Sequence, residues 1–155
     1  MQSKDLSAIL DMAIDKEIEA HAFYLDLHGR VTDSETKQTL QFLANEEKKH
    51  RDFLSRYKQG EGGPQSLKSS QVIDYKIAEH LEKPDVSKNI ESKDAYLIAA
   101  HRELNSYNFY KALAEIHPEG ETKVMLLRMA NEEMKHKEKV EYLYSNTAFP
   151  QTAGG

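Results

Sequence analysis

Asn45-Glu46-Glu47-Lys48-Lys49-His50 returns later in the chain as Asn131-Glu132-Glu133-Met134-Lys135-His136. The two hexapeptides end a longer repeat. Residues 13–50, moved along by 86 positions without a gap, fall on residues 99–136 with 15 of 38 identities. Glu17 lands on Glu103, Tyr24 on Tyr110, Glu47 on Glu133 and His50 on His136. Glu35-Thr36-Lys37 lands on Glu121-Thr122-Lys123. Helix-forming character alone would not need these identities. A repeat that keeps two Glu-x-x-His motifs and two lone Glu residues keeps a set of ligands.

Around these motifs the apolar pattern predicts four long helices, over about 4–30, 33–59, 92–116 and 119–145. Gly29 and a Thr32-x-x-Glu35 capping box separate the first two, and Gly60 closes the second. His117-Pro118-Glu119-Gly120 turns the chain between the last two. The seams read Leu10, Ala13, Glu17, Ala20, Tyr24, Leu27; then Leu40, Leu43, Glu47, His50, Leu54, Tyr57. The second pair reads Tyr96, Ala99, Glu103, Ser106, Tyr110, Leu113; then Leu126, Met129, Glu133, His136, Val140, Leu143. Steps of three and four mark helices packed in a bundle. Every seam carries Glu at its third position, where a solvated face is not expected. Glu17 and Glu47 lie equally far from the first turn, and Glu103 and Glu133 from the second. Two hairpins stacked about a pseudo-two-fold axis would therefore bring all six residues to one layer.

The chain has 155 residues, a formal net charge of −5 and no cysteine. That length suits a single domain with one sizeable core. The charge and the lack of a Lys/Arg-dense patch argue against nucleic acid as a partner. The longest apolar run, residues 95–100, is far too short to span a membrane. The N-terminus leads into an amphipathic pattern and not a signal peptide, so a cytoplasmic location is expected. Without thiols, a bound metal must be held by His and carboxylate. Residues 60–91 must connect the hairpins. A helix of ~26 residues is ~39 Å long, a span such a stretch can cross. Val72, Ile73, Ile77 and Leu81 predict a short helical turn lying on the bundle, and the tail 149–155 is expected to be loose.

An unpaired buried carboxylate costs several kcal/mol even after relaxation, and four at one level would also repel one another. Two divalent cations would neutralise Glu17, Glu47, Glu103 and Glu133, with His50 and His136 supplying neutral nitrogen donors. In Glu-x-x-His both side chains lie on one helix face, so both can reach the same metal. Glu17 and Glu103 are suited to complete or bridge the pair. Carboxylate with imidazole and no thiolate favours iron or manganese, with zinc as a redox-inert competitor.

In these residues the chain resembles the rubrerythrin branch of the ferritin-like di-iron carboxylate proteins. That group pairs one Glu from each of two helices with Glu-x-x-His from each of the other two. Here each Glu-x-x-His begins 30 residues after a seam Glu. In the family a small residue and a Tyr follow the lone Glu at three and seven positions, as Ala20 and Tyr24, then Ser106 and Tyr110, do here. The resemblance spans about residues 5–146. It implies an all-α, ferritin-like four-helix bundle: two helical hairpins joined by a long crossover. It also implies two iron ions per chain and a homodimer.

Two departures bear on function. Rubrerythrins proper carry a cysteine-rich rubredoxin module, and these residues contain none. They also place a further Glu where this chain has Ser106. The expected chemistry is therefore reduction of hydrogen peroxide or oxygen at a di-iron site, with electrons from a separate donor protein and no catalytic side chain beyond the metal ligands. An iron-handling ferroxidase and a non-enzymatic helical scaffold are the alternatives. Tyr24 and Tyr110 are candidates to hydrogen-bond ligand carboxylates. In related di-iron proteins an acid before the motif Glu bonds the opposing His, which would pair Glu46 with His136 and Glu132 with His50. Phe42, Phe53, Ile98 and Tyr142 are candidate dimer-face residues. His21, His28, His80, His101 and His117 lack a repeat partner and are expected to lie outside the site.

Overall fold

The computed structural model describes residues 4–67 and 69–149. Among these, the long helices are α1 (Lys4–His28), α2 (Ser34–Lys58), α4 (Ser92–Glu115) and α5 (Glu121–Ala148). The crossover holds a 3-10 turn (Pro64–Ser66) and a four-residue helix, α3 (Ile77–His80). The chain is an all-helical, ferritin-like bundle, with α1 packed on α2 and α4 on α5. None of the described helices is long and apolar enough to cross a membrane.

The helix ends follow local chemistry. The cap of α2 is Asp33, one residue beyond the expected Thr32: Thr36 donates to Asp33 Oδ2 from its backbone N–H at 2.9 Å and its hydroxyl at 2.8 Å. At the other end Gly60 sits at φ 85°, with Gly60 N–H donating to Tyr57 and Glu61 N–H to Arg56. This is the Schellman arrangement, which needs the left-handed conformation glycine adopts freely.

Every seam residue is buried except Leu143, which is half-buried. Two apolar clusters form, one around Leu27, Leu40, Leu43 and Val140, the other around Leu10, Leu54, Leu126 and Met129. The seam Glu residues fall between them along each helix. That position keeps the ligand layer away from both open ends of the bundle.

The crossover corrects three expectations. Its helix begins only at Ile77, and Ile73 and Leu81 are exposed, so within that helix the residue that buries itself on the bundle is Ala78. Ile98 is wholly buried and is no part of a dimer face. The reason is that α3 lies on α4, which buries all of residues 95–100. Of the tail, only Phe149 is described, and it is exposed; residues 150–155 lie outside the described residues.

Candidate metal centre

The six seam residues come from four helices to one place. Their ligand atoms form two groups, each closing within 4.8 Å: Glu17, Glu47, His50 and Glu133, and Glu47, Glu103, Glu133 and His136. All six are buried. Glu47 and Glu133 belong to both groups, whereas Glu17 and Glu103 belong to one each.

The imidazoles face inward through Nδ1. His50 Nδ1 lies 3.1 Å from Glu133 Oε1 and 3.7 Å from Glu17 Oε2. His136 Nδ1 lies 3.1 Å from Glu103 Oε1 and 3.2 Å from Glu47 Oε1. The rings stack with centroids 5.6 Å apart. Their Nε2 atoms point outward, His50 to Glu132 at 3.6 Å and His136 to Glu46 at 3.7 Å. These are the cross-pairs expected from the sequence, at ion-pair distances and not hydrogen-bond distances.

Both phenols reach across the pseudo-two-fold axis. Tyr24 Oη donates to Glu103 Oε2 at 2.6 Å, and Tyr110 Oη to Glu17 Oε1 at 2.5 Å. A tyrosine of one hairpin therefore holds the lone Glu of the other. His21 turns away to the Ala44 carbonyl, His101 donates to the Leu81 carbonyl on the crossover, and His117 to Leu113. None of the three enters the site.

The electrostatics describe a place built for positive charge. Burial, then repulsion from the neighbouring carboxylates, pushes Glu47 and Glu133 well above the usual carboxylate range. Burial and the adjoining carboxylates likewise raise the Tyr24 and Tyr110 phenols. Burial pulls the two imidazoles down, but the surrounding carboxylates outweigh it and hold both well above the usual histidine range. Glu46 falls to about 2, chiefly through His136. Glu132 also falls to about 2: His50 and Lys135 overcome its burial.

Three carboxylate oxygens bear on whether a metal fits. Glu17 Oε2, Glu47 Oε1, Glu133 Oε2 and His50 Nε2 are buried without a hydrogen-bond partner. Three are carboxylate oxygens in the ligand layer. A buried acceptor left without a hydrogen bond costs about 1–3 kcal/mol, so three in one cluster fit a bound cation. Hard oxygen donors with imidazole suit iron.

A family model described as rubrerythrin matches residues 1–58, which cover α1 and α2. Over those residues the chain is similar to rubrerythrin. Comparisons with curated proteins and with solved structures give no match. The rubrerythrin match stops at the end of the first hairpin, but the second carries the same Glu and Glu-x-x-His pattern at the same spacing. Match and buried cluster together point to di-iron binding.

One polar cluster was not foreseen from the sequence. Lys137 is completely buried and contacts Asp74 at 2.6 Å, Glu79 at 2.8 Å and Glu141 at 3.0 Å. Burial pulls its ammonium down, but the three carboxylates outweigh that and raise it. Glu141 also accepts from the Ala78 N–H at 2.8 Å. Asp74, Glu79 and Glu141 could by themselves group around a metal, but the ammonium fills their centre. The cluster clamps the crossover to α5. Its only sequence signal was a Lys-Glu pair four apart beside the seam residue Val140.

Proposed function

We propose that this chain is a di-iron oxidoreductase that reduces hydrogen peroxide or oxygen, with electrons returned by a separate donor. The observation that carries this reading is the sharing of Glu47 and Glu133 between two four-residue groups. Two adjoining cation positions with common carboxylates suit a two-electron reaction. Two ferrous ions would supply two electrons which, with two protons, break the O–O bond of peroxide to two waters and leave two ferric ions.

The protein's part is positional. Glu17 with His50 and Glu103 with His136 would hold one ion each, and Glu47 and Glu133 would join them. Tyr110 and Tyr24 fix the rotamers of Glu17 and Glu103 by donating phenol protons to them. Glu46 and Glu132 face the imidazole Nε2 atoms and favour a proton there, which leaves Nδ1 free as a donor. The apolar clusters on either side exclude water. The 155 residues contain no cysteine, so no iron–sulfur centre within them can return electrons, and the donor would lie outside them.

The test is anaerobic stopped-flow absorbance of the ferrous protein mixed with peroxide or oxygen, after elemental analysis. The expected results are two iron ions per chain and one fast oxidation that stops until a donor is added. A ferrous site inert to both oxidants would end this reading. Oxidation of many ferrous equivalents with retention of the product would replace it with iron handling.

A further inference from the structure

The face formed by α2 and α5 carries the outward edges of both imidazoles, and the repeat doubles its lining. Glu46 and Glu132, and Lys49 and Lys135, are equivalent residues 86 positions apart. Two positions break that symmetry: Phe42 is the counterpart of Arg128, and Lys139 of Phe53. Arg128 donates to the Pro64 carbonyl at 2.7 Å and the Leu67 carbonyl at 3.1 Å, so the crossover is fastened over its end of the face. At the other end Phe42 is 41% exposed. Its ring meets the His136 ring edge-on, with centroids 6.3 Å apart, and Lys139 Nζ stands 5.0 Å over it. A single exposed phenylalanine needs no explanation. One that links solvent directly to an imidazole of the metal centre, at the end left open, is different.

Charge is sorted across the same face. The two carboxylates turn inward to the imidazoles, whereas Lys49 and Lys139 are exposed. Lys135, paired to Glu132, is part-exposed. A chain of formal net charge −5 thus shows ammonium groups around this approach to the site, Lys49 paired to Glu46 at 3.1 Å and Lys139 over the Phe42 ring.

We infer that this face docks an electron-carrier protein with an acidic surface, and that Phe42 is its point of closest approach to the His136 side of the centre. The inference rests on the di-iron reading above. In each encounter the reduced flavin or iron–sulfur group of the carrier loses one electron and one ferric ion becomes ferrous, so two encounters restore the pair. Electron-transfer encounters are small and weak, below ~1,200 Å², and opposite charge raises their association rate in low salt. An exposed ring within a lysine rim meets both needs without a large apolar patch.

Flavodoxin, a small acidic flavoprotein, serves as the probe and basic cytochrome c as its counterpart. Zinc-loaded protein, which is redox-inert, isolates docking. Amide NMR shifts on adding flavodoxin should fall on α2 and α5 around Phe42, Lys49 and Lys139, and should vanish in high salt. Charge reversal at both Lys49→Glu and Lys139→Glu should weaken the affinity at least tenfold, whereas Lys88→Glu on the crossover should not. With ferric-loaded protein, Phe42→Leu should slow reduction by photoreduced flavodoxin at least tenfold relative to dithionite reduction of the same variant. Shifts elsewhere, equal affinity for cytochrome c, or an unchanged ratio for Phe42→Leu would overturn the inference. So would a dimer in sedimentation that Phe42→Glu disperses, because a second copy would then cover the face. Docking and reduction that persist while the ferrous site ignores peroxide and oxygen would support this inference and refute the oxidoreductase reading alone.

Discussion

The two hairpins share one ligand pattern and differ at positions that meet the crossover in one of them. Arg51 in α2 is half-buried and pairs with neighbouring Asp52, whereas its counterpart in α5, Lys137, is wholly buried among three carboxylates. Ser55 corresponds to Glu141, and Phe42 to Arg128. In each pair the α5 member touches the crossover, directly or through Lys137. The crossover packs on α5 and α4. Positions facing the ligand layer stayed equivalent because each half must supply the same donors. Positions facing outward diverged because only one half has a partner to satisfy.

The strongest attempt to break this picture is metal removal. The two halves contribute equally to one site, so His50→Ala and His136→Ala should each reduce metal content to a similar degree, measured by elemental analysis. Ligand at ~100 times its Kd stabilises by ~2.7 kcal/mol, so chelation should lower Tm by about 5–10 °C in a domain of this size. Loss of metal from only one variant would show that the halves are not equivalent.

Lys137 and Arg51 give the sharpest contrast in stability. Lys137→Ala would leave Glu141 buried and uncompensated, at a cost of about 3–5 kcal/mol. Asp74 and Glu79 are partly exposed, which favours the lower end of that range. Arg51→Ala should stay within about 0.5 kcal/mol. Denaturant titration measures both, and the double variant Lys137→Met/Glu141→Leu should recover most of the loss. Equal effects at 51 and 137 would refute the crossover clamp.

The phenols test the symmetry on a smaller scale. Tyr24→Phe and Tyr110→Phe each remove one hydrogen bond to a carboxylate, at about 1.5–3 kcal/mol. Matching shifts in metal affinity, read by competition with a chelator, would show that each hairpin steadies the other's Glu.

The smallest effect concerns the helix starts. Asp33 caps α2, whereas Gly120 offers α5 no side chain. The Thr36 backbone and hydroxyl donors hold the Asp33 carboxyl below its ordinary value. Its contribution is thus present above the unfolded aspartate pKa of ~3.9 and lost as pH falls through the lower folded value. Melting curves of the parent and Asp33→Ala should differ at neutral pH and converge in acid.

The seams were legible because helical periodicity and the repeat report the same faces twice. Of 24 seam positions only Leu143 escapes full burial. The first cap was read one residue early because Thr32 and Asp33 are both good caps, and only the donors of Thr36 distinguish them. The crossover was legible in length but not in contact. Ile73 and Leu81 have the hydrophobicity of packing residues, yet Ala78 packs, because backbone path and not hydrophobicity decides which side chain meets the bundle. Ile98 was misplaced for the same reason: its cover comes from a segment some 20 residues away that has no periodicity to read.

The sequence by itself determined the four helices, their inner faces, and the placing of six donors at one level, because helix geometry converts spacing directly into direction. Only the tertiary structure decided which carboxylates two metal positions would share, which tyrosine holds which Glu, that Lys137 is buried, and that Phe42 stands open beside His136. Those facts depend on how one helix meets another, and no spacing within a single helix encodes them.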